Sequence, residues 1–308
     1  MKHTAKITAI ILAMFLLTQF IGLYVVSQYS PTKIVDGQIT NSTNKVSLPY
    51  GMETPEVQQD IDFLTMLPSI LLAFVIAILI IFLLTKTKAD IILKIWFFIV
   101  VVLAMAISFN SVIGNKIPYA AWIALFVAIP LALLKIFQRN FFVHNVTELF
   151  IYPGVAAIFV PLLNIWTLLI LLVAISIYDM WAVWHSGIMQ KMAKYQMNQL
   201  KIFSGFFIPY IPRDIRMKLK KLSKSQLKKK RVKVSVAILG GGDVVFPIIA
   251  AGVMLKTLGF IPALITIAGA FVGLSCLLFL AEKKKFYPAM PFISAGILLA
   301  VILSYLIF

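Results

Sequence analysis

Asp179 and Asp243 stand out as acidic residues set inside long apolar runs. A carboxylate at bilayer depth costs about 3 kcal/mol or more, so each marks a candidate functional site. Their frames are Ile177-Tyr178-Asp179 and Gly240-Gly241-Gly242-Asp243. Two carboxyls a few ångströms apart cannot both ionise easily, because burial and mutual repulsion oppose the second charge. Such a pair holds one proton near neutral pH and titrates as a unit. One carboxylate can then deprotonate a water while its protonated partner polarises a carbonyl, the chemistry of an aspartic protease. The same pair can serve a transporter as a proton- or cation-coupling site, or act as a buried polar contact that only fixes packing. The two residues alone leave all three readings open.

The neighbours permit a close meeting. Ser176 and Ala182 lie three residues either side of Asp179, and Gly240, Gly241 and Gly242 precede Asp243. Small residues let membrane helices approach backbone to backbone. Three glycines in a helix each cost about 1 kcal/mol in propensity, so this stretch can unwind locally where water must enter. Tyr178 can hydrogen-bond near Asp179, or simply sit at an interface beside Trp181 and Trp184.

The elements that must position this pair are membrane helices. The chain has 308 residues and is 61% hydrophobic, too apolar for a water-soluble domain. Its apolar runs are about 17–25 residues long and lack the alternation of barrel strands, so the fold class is an all-α multi-pass membrane protein. Nine spans are predicted, at about 7–27, 64–85, 91–109, 119–137, 146–162, 165–185, 234–255, 259–280 and 287–307. Glu148, Pro153, Gly154 and Pro161 interrupt the fifth, and the first reads as a retained helix rather than a cleaved signal. Of the 28 Lys and Arg, 24 fall on the N-terminal tail and the even-numbered loops and four on the other side. That bias predicts a cytoplasmic N-terminus and a C-terminus outside. Asp179 then lies about 9 Å and Asp243 about 14 Å from the cytoplasmic edge, a matched depth on adjacent antiparallel helices.

Three parts follow: residues 1–185, six helices carrying Asp179; 186–233, a basic cytoplasmic loop; and 234–308, three helices carrying Asp243. Ile188 to Phe207 suits an amphipathic stretch on the membrane surface, broken by Pro209 and Pro212. The net charge of +17 is accounted for by topology and contact with anionic lipids, without nucleic acid. Cys276 is the single cysteine, so no intrachain disulfide forms. Asn41-Ser42-Thr43 lies on the outer side as a glycosylation pattern, whereas Asn145-Val146-Thr147 falls on the inner side and reads as chance.

The motifs resemble a known family. Tyr178-Asp179 in the sixth span and Gly240-Gly241-Gly242-Asp243 in the seventh are similar to the YD and GxGD motifs of presenilins and signal peptide peptidases. Pro288-Ala289-Met290-Pro291 stands where their Pro-Ala-Leu motif would follow, with Met in place of Leu. The resemblance covers the whole chain in layout and these stretches in detail. It implies an intramembrane aspartyl protease with Asp179 and Asp243 as catalytic dyad, and with Pro288, Ala289 and Met290 shaping the site. Residues before proline favour extended backbone, so Tyr287 and Met290 are expected to be extended and to leave carbonyls free for an unwound substrate strand. Val244-Val245-Phe246-Pro247 is closer to the peptidase branch, while the charge bias and Pro-Ala-Met-Pro favour the presenilin branch. A compact, archaeal, presenilin-like homologue in a prokaryotic cell membrane fits these features.

Rival chemistries lack their residues. The sequence has no His-Glu-x-x-His zinc motif, no Gly-x-Ser-x-Gly elbow, no Walker loop and no dinucleotide fingerprint, so neither metal nor cofactor is expected. His185, six residues past Asp179, reads as interfacial. The expected partners are transmembrane-helix substrates and anionic lipids, and a homo-oligomer is compatible with the sequence. The alternative function is a proton-coupled transporter or cation pathway on the same pair.

Overall fold

The structure, a computed structural model, describes residues 5–29, 32–35, 38–41, 48–52, 60–87, 89–114, 117–138, 140–186, 204–210, 235–281 and 287–308. Most of the basic 186–233 loop, including 188–203 of the expected amphipathic stretch and all of 218–233, lies outside the described residues. The helices are α1 (Ala5–Tyr29), α2 (Asp60–Lys86), α3 (Asp90–Ile113), α4 (Ala120–Phe137), α5 (Phe141–Phe159), α6 (Ile165–Trp181), α7 (Gly242–Thr257), α8 (Phe260–Leu280) and α9 (Met290–Ile307). Two antiparallel hairpins complete the described residues: β1 (Thr32–Val35) with β2 (Gln38–Asn41), and β3 (Gly205–Tyr210) with β4 (Ser235–Gly240).

Eight helices among the described residues are long and apolar enough to cross a membrane. The exception is α7. The span expected over 234–255 opens instead as strand β4, and its helix has 16 residues. At 1.5 Å per residue α7 is about 24 Å long. Within β4, Val236 and Ile238 are partly exposed while Ala237 and Leu239 are buried, a period-two pattern. A short apolar run bounded by glycine does not reveal by composition whether it is strand or helix. Pairing with β3, whose first three residues end the expected amphipathic stretch, decides it.

α5 and α6 meet at a tight corner. Asn140 caps α5 through Phe142 N–H at 2.9 Å, Pro153 lies within the helix, and a 3-10 turn over Val160–Leu162 closes it. Asn164 then opens α6 with a capping box, accepting from Thr167 N–H while Thr167 Oγ1 accepts from Asn164 N–H. Those two bonds replace water at the helix start. Gly154 lies so close to the Ala104 carbonyl of α3 that no side chain fits there.

One core joins the early and late helices. α1 packs on α5, α7 and α8, and α9 packs on α8 and α6. Buried residues from α1 (Phe15), α5 (Tyr152), α6 (Leu172), α7 (Ile248) and α9 (Ile297) belong to the same cluster. α8 and α9 touch backbone to backbone at Gly269, Gly273 and Gly296, the close approach that small residues allow between membrane helices. α2 is peripheral: Leu72, Leu79 and Leu83 are largely exposed, as a lipid-facing helix requires.

Candidate active site

α6, α7 and α9 converge, and they bring the two aspartates together. Asp179 lies two residues before the end of α6 and is buried. Asp243 lies in the first turn of α7 and is half-buried. The two carboxyls are close enough to act on one another electrostatically.

Both carboxyls lie at helix starts, and Asp179 has an amide partner in place of water. Asp179 Oδ2 accepts from Met290 N–H at 3.0 Å, with Ala289 directly before it as the N-cap of α9. That amide is one of the free ones at the start of α9, where the helix dipole favours negative charge. Asp243 lies close to Gly240 and sits at the N-terminus of its own helix. Two helix N-termini therefore face one acidic site. Such donors offset part of the cost of taking carboxyls out of water.

The expected extended Pro-Ala-Met segment takes a different form. Ala289 is in the right-handed helical region and Met290 begins α9, with Pro291 in its first turn. Proline is suited to that position, because first-turn amides have no partner within the helix. The segment offers the Met290 N–H to Asp179, and the Ala289 carbonyl accepts from Ile293 N–H at 3.1 Å within α9. Pro288 and Met290 are buried, Ala289 and Pro291 half-buried. One turn before Asp179, Ser176 Oγ donates to the Leu172 carbonyl and pairs with Ser294 Oγ of α9 at 2.9 Å.

The glycines before Asp243 act by space rather than by unwinding a helix. Gly240 ends β4, Gly241 is the turn and Gly242 begins α7. A Cβ on Gly240 would stand 3.1 Å from Asp243 Oδ2, and one on Gly241 would stand 2.6 Å from Ser204 Oγ and 2.9 Å from Tyr152 Cε1. At Gly242 only Phe246 comes near, at 3.9 Å. Gln19 of α1 steadies the same turn by donating to the Val244 carbonyl at 3.1 Å.

Tyr178 is 43% exposed and tilts against Trp181 with ring centroids 6.4 Å apart. That arrangement fits an interfacial aromatic. His185 is exposed in the π-helical turn that follows α6. No cluster of three or more metal-binding side chains occurs among the described residues.

Sequence reasoning passed over a third acid. Glu148 lies fully buried in α5, paired with Lys135 Nζ of α4 at 2.6 Å. Lys135 counted among the inner-loop charges, Glu148 only as an interruption, and Asn145 only as a chance glycosylation pattern. The available signal was spacing: His144, Asn145 and Glu148 share one helix face by their separations of three and four residues.

Comparison with known proteins gives the family and the fold. The family described as signal-peptide peptidase, presenilin aspartyl protease matches residues 40–308, and the chain belongs to that family. The fold is similar to two solved structures of a presenilin family intramembrane aspartate protease, in C222 and P2 crystal forms. The first is 17% identical with a TM-score of 0.58, covering 98% of this chain and 99% of that one. The second is 17% identical with a TM-score of 0.57, covering 97% of each. Comparison with curated protein sequences gives no significant match.

Proposed function

We propose that this protein is a GxGD-type intramembrane aspartic endopeptidase that hydrolyses peptide bonds within transmembrane helices of membrane proteins. The observation that carries this reading is the convergence of Asp179 and Asp243 at two helix N-termini, in a chain of this family. Asp179 and Asp243 are the catalytic residues. A water between them loses a proton to one carboxylate, and the protonated partner donates to the scissile carbonyl oxygen. Water oxygen bonds to the carbonyl carbon to give a gem-diol. On collapse one gem-diol hydroxyl returns its proton to the carboxylate, the amide nitrogen takes the proton of the other carboxyl, and the C–N bond breaks to leave a carboxylic acid and an amine. The two carboxyls end with one shared proton again.

A substrate helix must unwind before attack, and its exposed backbone needs partners. Strand β4 supports a place for them. Gly205 and Phe207 of β3 use their backbone groups on side chains of α5, so Phe206, Ile208 and Tyr210 make the ladder to β4. By the same alternation, Val236, Ile238 and Gly240 turn their backbone groups to the opposite edge, which runs toward Asp243. An extended substrate segment adds to that edge as a further strand. Pro288, Ala289, Met290 and Pro291 shape the other wall by holding Asp179, while Gly240, Gly241 and Gly242 keep the approach to Asp243 open. Tyr178 borders the site at the lipid interface.

The charge bias supports nine crossings, with α7 as the seventh, a cytoplasmic N-terminus, an outer C-terminus and a dyad in the cytoplasmic half of the bilayer. Residues 186–233 then form the inner loop, in contact with anionic lipids, between the six-helix 1–185 part and the 234–308 part. No particular observation favours a proton-coupled transporter on the same pair. Purified protein in lipid, given a single-span substrate, is expected to cleave it with a bell-shaped pH profile. Cleavage is expected to vanish in both Asp179→Ala and Asp243→Ala. Intact substrate with the wild type, or a flat profile from about pH 4 to 9, overturns the shared-proton mechanism.

A further inference from the structure

The buried charges of α4 and α5 have no part in the reaction above, yet they hold the hairpin that leads to it. Glu148 and Lys135 are ion-paired with side chains 0% and 2% exposed. Glu148 Oε1 also accepts from Gly205 N–H at 3.3 Å. One turn earlier, His144 Nε2 lies 2.7 Å from the Gly205 carbonyl oxygen and 3.5 Å from Glu148 Oε1. Asn145 takes both backbone groups of Phe207: Oδ1 accepts from its N–H at 2.9 Å and Nδ2 donates to its carbonyl at 2.7 Å.

One face of α5 thus does for β3 what a neighbouring strand would do. Four backbone groups on two alternate residues are held, so β3 cannot slide along its axis without breaking them. The pairing Gly205↔Gly240 carries that constraint to β4, three residues before Asp243. A cavity of about 230 Å³ lies at the end of the hairpin, bounded by Glu148, Tyr152, Ser204, Gly241 and Gly242. Glu148 Oε2 and the Tyr152 hydroxyl are buried there without a hydrogen bond of ordinary geometry, although Tyr152 interacts with both Glu148 and Ser204. Open space therefore lies beside Ser204 and Gly241, the residues that flank the paired ends of β3 and β4.

We infer that Glu148, held by Lys135 and assisted by His144 and Asn145, is a positioning residue that sets the cleavage register. It fixes the height of the β4 edge against the dyad, and so decides which peptide bond of a bound strand is cut. This rests on substrate pairing with β4 as proposed above. A strand advances about 3.3 Å per residue, so a shift of one or two residues presents a different bond to the same dyad. A misplacement of about 1 Å also costs up to about 100-fold in rate.

The test uses the full chain in lipid bilayers with a single-span substrate and reads the products by mass spectrometry. Glu148→Gln keeps the shape and removes the charge. Lys135→Met with Glu148→Gln removes both charges together and covers the case in which the single variant does not fold. Asn145→Ala loosens β3 without touching a charge. Each is expected to spread cleavage to bonds one to three residues from the wild-type site and to lower kcat/KM. A merely structural role lowers the amount of active enzyme and leaves product ratios alone. Wild-type product ratios in Asn145→Ala and in the folded Glu148 variants overturn the inference while the protease reading stands. A wild type that cuts nothing overturns the protease reading, and this inference with it.

Discussion

The two aspartates reach one site by opposite routes. Asp179 comes near the end of α6, a regular helix fixed at its far end by the Asn164 capping box and along its side by the Ser176–Ser294 contact. Asp243 comes at the beginning of α7, directly after a strand held by a hairpin, and that hairpin hangs on α5. The first carrier is rigid through intrahelical bonds and packing. The second depends on turn geometry and on polar side chains from a distant helix. Residues that tune the site without doing chemistry should therefore concentrate on the Asp243 side.

The largest effect should treat both sides alike. Asp179→Asn and Asp243→Asn each lose about 100- to 10,000-fold in cleavage rate while circular dichroism stays unchanged. Activity retained in one of them would break the equivalence of the two carboxyls. Gly241→Ala comes next and acts on the Asp243 side alone. Its Cβ meets Ser204 Oγ at 2.6 Å and Tyr152 Cε1 at 2.9 Å, and such overpacking costs about 1–3 kcal/mol. Thermal melts should show that loss, with a fall in rate larger than the loss of folded protein explains. A Gly241→Ala enzyme with wild-type rate would show that the turn tolerates movement.

On the Asp179 side, Ser294→Ala removes one hydroxyl pair but leaves Ser176 bonded to the Leu172 carbonyl. Its expected cost is about 1 kcal/mol in stability, with little change in rate. A strong rate defect there would contradict the contrast between the carriers. The smallest effect lies away from both. Burial pushes the Tyr50 phenol up to about 12, and its hydroxyl donates to the Ala121 carbonyl at 2.7 Å. Its folded form favours the neutral phenol, so this contribution is complete below the ordinary value of 10.0 and is lost as pH rises through about 12. Tyr50→Phe should flatten that alkaline limb of thermal stability without altering cleavage at neutral pH.

Much of the candidate site was legible because its residues break local rules. A carboxylate in an apolar run, a glycine triplet and a Pro-Ala-Met-Pro segment each contradict the helix around them, and such contradictions mark sites. Less legible were residues whose meaning depends on a partner far away in sequence. Glu148 looks like a flaw in a helix until Lys135 and Gly205 are beside it. Met290 looks extended because of Pro291, until the start of α9 gives both a helical role. Val236 to Leu239 look like the opening of a membrane helix, and only their pairing with β3 makes them a strand.

The sequence by itself determined the multi-pass helical class, because backbone groups in lipid must be satisfied within a segment. It marked the two aspartates as candidates, because a carboxylate inside an apolar run is costly unless it has a use. Tertiary structure alone decided that an amide of α9 holds Asp179, that a strand rather than a helix leads into Asp243, and that α5 anchors that strand. Those decisions rest on pairings between residues 25 to 111 positions apart. Local pattern can mark a polar face, as at His144, Asn145 and Glu148, but it does not name the distant partner that the face will bond.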